Sequence, residues 1–201
     1  MPATPAPRRT GGRTRSESAR ADALRAAAEI LEADGYAAVT IEGVASRSQV
    51  AKSTIYRWWN SKADLVMEAY QHLITERMPE PDTGTLAGDL EAFVAELYRV
   101  THYPARMKAL RGLMAEAQLD AAFAALFRAW VQTRRETVAA LLHRAIDRGE
   151  IPATTDVDYA VDSVFGPFWY RLLVGHLPLD PADASAHVGQ LMHGLRRATG
   201  R

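Results

Sequence analysis

Apolar residues along this chain recur at the three-to-four-residue spacing of helices, and the pattern is interrupted by short polar breaks. Between residues 16 and 34, Leu24, Ala27, Ala28 and Leu31 share one face, with Ser16 or Ser18 placed to cap a helix and Gly35 to stop it. Two much shorter segments follow, 41–47 and 52–58, in which Ile41, Val44, Ala45, Val50 and Ile55 can close one small core. Ser61 and Asp64 form a capping-box-like pair opening a helix over 62–78, whose stripe is Leu65, Val66, Ala69, Tyr70 and Leu73. The breaker cluster Pro-Glu-Pro-Asp-Thr-Gly at 79–84 marks the clearest boundary. Beyond it the period predicts helices over 86–101, 105–117, 121–148, 156–174 and 182–198, separated by Pro104, Asp120, 149–152 and 178–181. No strand alternation competes, so the expected fold is all-α.

The two short segments are joined by too few residues for anything but a tight turn. With their apolar positions turned inward, Lys52, Ser53, Thr54, Tyr56 and Arg57 are left to face outward. A helix of about seven residues spans roughly 10 Å, comparable to a major groove about 12 Å wide. The pair therefore reads as a helix-turn-helix, with 52–58 as the recognition helix.

The block from Thr40 to Leu65 resembles the DNA-binding signature of the tetracycline-repressor (TetR) family, through Thr40, Ile41, Val44, Ala45, Val50, Lys52, Thr54, Ile55, Tyr56, Trp59, Lys62 and Leu65. With the preceding helix and Gly35-Tyr36 it covers roughly the first third of the chain, and the stretch from Gly166 to Asp180 is similar to one in a branch of the family. The resemblance implies a dimeric, ligand-responsive transcriptional regulator, usually a repressor. Two positions depart from the family pattern. Ser48-Gln49 stands where Ala-Gly is common, and a positive φ at Gln49 costs roughly 1–2 kcal/mol. Ala51 replaces the usual serine cap of the recognition helix, forgoing about 1 kcal/mol.

Charge sharpens this picture. The chain is neutral overall, yet residues 1–62 hold ten Lys/Arg against six Asp/Glu, and the remainder 14 against 18, so a basic end of +4 precedes an acidic body of −4. Residues 1–15 are rich in Pro, Gly, Thr and Arg, and are expected to be a disordered basic arm in which Arg8, Arg9, Arg13 and Arg15 either follow a minor groove or form a solvated tail. The domains expected are this arm, a helix-turn-helix domain over 16–62, and a helical ligand-binding and dimerisation domain over 63–201, with 62–78 as the linking helix. The absence of cysteine excludes disulfides, thiol nucleophiles and cysteine zinc sites. Neither an export signal nor a membrane-spanning run is seen, and the expected location is cytoplasmic.

Individual residues carry the expected chemistry. Lys52, Ser53 and Thr54 can reach bases or phosphates, Tyr56 suits a phosphate, and Arg57 either. Trp58 is placed at the sugar-phosphate edge or in the core, while Trp59 turns inward. Thr40 caps the helix that follows it or bonds a phosphate. Lys62 occupies the first turn of its helix, where the macrodipole disfavours a cation unless a phosphate lies in front of it; the family resemblance implies that phosphate. The resemblance also implies an inducer cavity in the body, with Phe93, Leu97, Met107, Leu110, Met114, Phe127, Trp130, Phe165, Phe168 and Trp169 as walls or core filling, and Glu116 or Gln118 to orient a polar group. Gly166-Pro167 is expected to kink its helix. A homodimer is implied through the last two helices, which carry Val161, Val164, Leu172, Leu191, Met192 and Leu195, with Ala160, Gly189 and Gly194 for close approach, so that two heads meet a palindromic operator in double-stranded DNA.

The six histidines show no metal-ligand spacing, and neither a phosphate-cradling glycine loop nor a nucleophile elbow is present. No cofactor and no enzymatic activity are expected. The alternative is a helical small-molecule-binding or partner-binding protein whose helix-turn-helix only packs. The face 52–57 discriminates, being exposed in the first case and covered in the second.

Overall fold

The computed structural model describes residues 11–75 and 80–197, of which the side chains of 11–14, 75, 196 and 197 are left aside. Nine α-helices occur among the described residues, with no strand: α1 (Gly11–Asp34), α2 (Ile41–Ser48), α3 (Lys52–Trp58), α4 (Lys62–Thr75), α5 (Leu86–Tyr98), α6 (Pro104–Leu119), α7 (Ala121–Asp147), α8 (Val157–Val174) and α9 (Ala184–Arg197). The chain divides into two compact units, Met1–His72 and Leu73–Arg201.

In the first unit the predicted stripe of α1 is the core. Ala23, Leu24, Ala27, Ala28 and Leu31 are buried, as are Val39, Ile41, Val44, Val50 and Ile55. Gly35 stops α1 at φ 89°, donating its N–H to the Leu31 carbonyl at 3.0 Å. The helix begins at Gly11 rather than at Ser16 or Ser18. Residues 11–15 are thus part of α1 and not of the arm, which Gly-Gly-Arg-Thr-Arg could not announce, because it holds no apolar position for a period to register. Arg15 is exposed on the helix, whereas Arg8 and Arg9 lie outside the described residues, as does the side chain of Arg13.

The unit also closes ten residues later than the expected boundary at Lys62, because α4 contributes to this core. Leu65, Val66, Ala69 and Tyr70 are buried, and Trp59, 3% exposed, donates its indole N–H to Glu68 at 2.8 Å. Arg20 of α1 completes the latch, pairing with Glu68 at 2.6 Å and lying 5.2 Å from the centroid of the Trp59 ring. α4 opens on the expected cap, with the Asp64 N–H donating to Ser61 Oγ at 3.1 Å and Ser61 Oγ–H donating to Asp64 at 2.9 Å.

The second unit is built on α5, α7 and α8. Leu86, Leu90, Phe93 and Val94 of α5, Phe127, Val138, Leu141 and Leu142 of α7, and Val161, Val164, Phe168 and Leu172 of α8 are buried. Each of these helices starts on a side-chain cap: Thr85 receives the Gly88 N–H, Asp120 the Phe123 N–H and Asp156 the Tyr159 N–H. α8 passes Pro167 without interruption and ends at Gly175 in the left-handed conformation. One buried charge holds the start of α5. Asp89, fully buried, accepts from Thr83 N–H at 2.6 Å and from its hydroxyl at 2.8 Å, while Arg144 of α7 and Arg148, just past its end, stand 3.7 Å from its other oxygen.

A second polar contact crosses this core. The hydroxyl of buried Tyr98 lies 3.0 Å from Nδ1 of His187, and the other ring nitrogen lies 3.4 Å from the Ser163 carbonyl. Burial lowers the His187 pKa below 6.5 and the Arg171 charge adds to this, outweighing the Ser163 carbonyl. Burial also raises the Tyr98 pKa. The folded chain therefore keeps His187 neutral where the unfolded chain takes up a proton. Stability contributed by this pair is present above the unfolded value of about 6.5 and lost as pH falls towards the lower folded value. Thermal melts are expected to show a drop in Tm as pH falls below about 6.5 that His187→Gln flattens; an identical slope in the variant contradicts the assignment.

Candidate nucleic-acid interface

The turn between α2 and α3 is made by residues unusual for it. Gln49 takes φ 58°, ψ 23°, the only positive φ of a non-glycine residue among those described. Its own side chain compensates, the amide donating to the Ser46 carbonyl at 2.6 Å, while Ser48 Oγ donates to the Val44 carbonyl at 2.7 Å. Val50, 8% exposed, then turns into the core. Ala51 caps α3 without a side-chain hydrogen bond, and its carbonyl receives the N–H groups of Thr54 at 2.9 Å and Ile55 at 3.1 Å.

Ile55 is the one fully buried side chain of α3. Lys52, Ser53, Tyr56 and Arg57 are exposed, and Thr54 and Trp58 are half-buried, so the face expected to meet DNA is uncovered within its unit. Tyr56 is 55% exposed, far more than a tyrosine with a packing role needs. The Trp58 ring meets the buried Trp59 edge-on at 5.5 Å, and the Arg57 guanidinium lies 5.9 Å from the Trp58 centroid. The half-buried indole thus splints Arg57 on the outer surface.

Two partners were not legible in the sequence. The Lys52 ammonium donates to Glu42 of α2 at 2.6 Å, and this hydrogen bond holds the Glu42 carboxyl below its ordinary value. Both groups are at the surface, where such a pair is weak and a phosphate can compete for the lysine. The ammonium of Lys62 sits 4.0 Å from the centroid of Tyr36, in the short 3-10 turn after α1. Thr40 is the cap of α2, receiving the Gly43 N–H at 3.0 Å. Helical spacing shows neither Glu42 opposite Lys52 nor Tyr36 under Lys62, since the members of each pair lie on different elements.

In the second unit the candidate ligand residues fall into two groups. Phe93, Leu110, Phe127 and Phe168 are buried, while Leu97, Met107, Met114, Glu116, Trp130, Phe165 and Trp169 are half-buried and Gln118 is exposed. The aromatics cluster: Phe127 meets Trp130 at 5.4 Å and Trp169 at 6.1 Å, Phe168 meets Trp169 at 5.3 Å, and Phe93 meets Phe165 at 5.8 Å. The Gln118 amide donates to Met114 Sδ at 3.5 Å. An open cleft of about 590 Å³ lies elsewhere, and Met107 alone of these residues lines it. Among the described residues no group of three or more His, Cys, Asp or Glu could hold a metal ion, and no helix is long and apolar enough to cross a membrane.

Residues 23–69 match the family described as bacterial regulatory proteins, tetR family, and residues 80–191 match the tetracyclin repressor-like C-terminal domain. The chain belongs to the TetR family. Among its relatives, the uncharacterized helix-turn-helix transcriptional regulator YdeS of Bacillus subtilis is 34% identical over 81% of this chain and 82% of its own length. The DNA-binding transcriptional repressor TetR of Mycobacteroides abscessus is 30% identical over 93% of this chain and 98% of its own. The crystal structure of the TetR family transcription regulator SCO0332 superposes with a TM-score of 0.77 at 35% identity, covering 88% of this chain and 98% of that one. The exposed helix-turn-helix is thus that of a TetR-family transcriptional regulator.

The turn geometry has measurable consequences. Ala51→Ser supplies the missing cap and is expected to raise the unfolding free energy by about 1 kcal/mol. Gln49→Val places a β-branched side chain in the left-handed region and is expected to lower it by about 1–2 kcal/mol. Urea denaturation of the full chain reads both, and a neutral Gln49→Val contradicts the strained turn.

Proposed function

We propose that this regulator is a repressor that binds a palindromic operator as a homodimer and releases it when its body binds a small molecule. The uncovered, basic outer face of α3 carries this reading. A core-packing helix of that length would bury more than Ile55. Lys52, Ser53 and Thr54 are the base-reading or phosphate-contacting groups, Tyr56 and Arg57 flank them, Trp58 supports Arg57, and Thr40 and Lys62 lie where the DNA backbone passes. The repressor sense is supported by the name of the Mycobacteroides relative.

For the dimer, the outward faces of α8 and α9 are the candidates, though not through all the residues that the sequence suggested. Ala160, Val161, Val164, Leu172 and Met192 are spent on the protomer's own core. The surface instead offers Tyr159, Tyr170 and Leu173 on α8, which are 72%, 62% and 48% exposed. Gly166, Gly189 and Gly194 have open space where a Cβ would stand, so a partner helix can approach closely, with Leu191 and Leu195 half-buried beside them. Ligand binding acts by population shift. A ligand that prefers a body conformation whose head spacing misses the operator converts its differential affinity into release.

Gel-shift titration at several salt concentrations tests the DNA role. Log affinity is expected to fall with log salt by roughly 0.9 per phosphate neutralised. Lys52→Ala is expected to weaken binding at least about tenfold and to reduce that slope, with little change in Tm because its ion pair is exposed. Glu42→Gln, which frees the same ammonium, shifts affinity the other way. Trp59→Ala, which empties a buried site and takes one of two partners from Glu68, is expected to cost about 3–5 kcal/mol and to unfold the head. Full affinity in Lys52→Ala with a flat salt response contradicts the proposal.

A further inference from the structure

The cleft of about 590 Å³ lies outside the aromatic cluster, between the start of α6, the last turn of α8 and the segment 175–181, and its size falls within the range of small-molecule sites. We propose that it binds a singly anionic amphiphile, a carboxylate or sulfonate carried on an apolar body. The proposal rests on the ligand-responsive reading only for its effect on DNA, since the chemistry of the cleft stands on its own residues.

Arg111 is the anchor. Its Nε donates to the Leu172 carbonyl at 2.7 Å, which fixes the guanidinium plane, and it ion-pairs with no carboxylate among the described residues. The second arginine of the cleft is already engaged: Arg171 donates to the Pro178 carbonyl at 2.9 Å and pairs with Asp183 at 3.3 Å. Asp180 also lines the cleft, its carboxylate receiving the Ala182 N–H at 2.9 Å. Arg111 is therefore the one arginine of the lining with no carboxylate paired to it among the described residues, set against a single acid, Asp180. That balance suits a single negative charge and repels a second, so a phosphate dianion fits less well than a carboxylate or sulfonate.

The rest of the lining is suited to an apolar body. Met107 supplies an adaptable thioether, Leu179 is buried beneath, and Leu177, 52% exposed, offers apolar surface that a bound body would cover. His102 and His176 lie exposed in the lining, where each imidazole can donate a hydrogen bond to the anionic head.

A pair of dyes with nearly the same apolar body separates charge from burial: 8-anilinonaphthalene-1-sulfonate and its uncharged counterpart N-phenyl-1-naphthylamine, titrated by fluorescence into the full-length protein. Arg111→Gln is expected to weaken the sulfonate at least about tenfold, the loss of one charge-assisted contact, and to leave the neutral dye within about twofold. Because Arg111 also holds the end of α8, a second variant guards against misfolding. Leu177→Glu, at an exposed position, is expected to weaken the sulfonate by a similar factor. Sulfonate binding unchanged in both variants, or an equal loss of both dyes in Arg111→Gln, overturns the site. Gel shifts run in parallel keep the two readings apart: DNA binding without the variant pattern overturns the cleft alone, and the variant pattern without DNA binding supports the cleft while removing the regulator.

Discussion

Seven residues cannot hold a helix on their own in water, so α3 exists only because Ile55 is seated in a core made by its neighbours. Every other feature of the head follows from that single anchor. A helix pinned at one point leaves the remainder of its circumference outside, and this chain fills that circumference with Lys52, Ser53, Tyr56 and Arg57. The cost is that the ends must be held from elsewhere. At the C-terminal end, Trp59 is clamped by Glu68 and Arg20, which join α1, α3 and α4 in one closed contact. At the N-terminal end the hold is weaker, with a strained Gln49 and a capless Ala51.

Charge on this face is held in readiness rather than left bare. Lys52 rests on Glu42 and Lys62 on Tyr36, both contacts of the kind that water and salt already weaken. On the proposed reading, a polyanion replaces the exposed Glu42 carboxylate at Lys52 with phosphate oxygens, so little is lost when that contact breaks. The Glu42 carboxylate also lowers the net charge the head offers, which moderates non-specific attraction to any duplex.

What could be read from the sequence follows from the range of each signal. Helix period, caps and breakers act within four residues, and Thr40, Ser61, Thr85, Asp120 and Asp156 each cap or open a helix as their residue type allows. The recognition helix was legible for the same reason, as Ile55 and Val50 sit at short range from Val44. Contacts that span elements were not. Nothing local pairs Arg20 with Glu68, Tyr98 with His187 or Arg111 with the Leu172 carbonyl, because those residues meet only after the helices pack. The outward stripe of α8 was misjudged on the same ground: both faces of that helix are apolar, and only packing decides that Val161 and Val164 go inward while Tyr159 and Tyr170 stay out.

The central claim is that the outer face of α3 reads a duplex, and that two copies do so together. Selecting bound sequences from a pool of random duplex DNA tests it most directly, since the protein chooses its own site. The account predicts convergence on an inverted repeat whose half-sites lie about one helical turn, or a multiple of it, apart. A pool that does not converge, or that converges on a single asymmetric element, contradicts it.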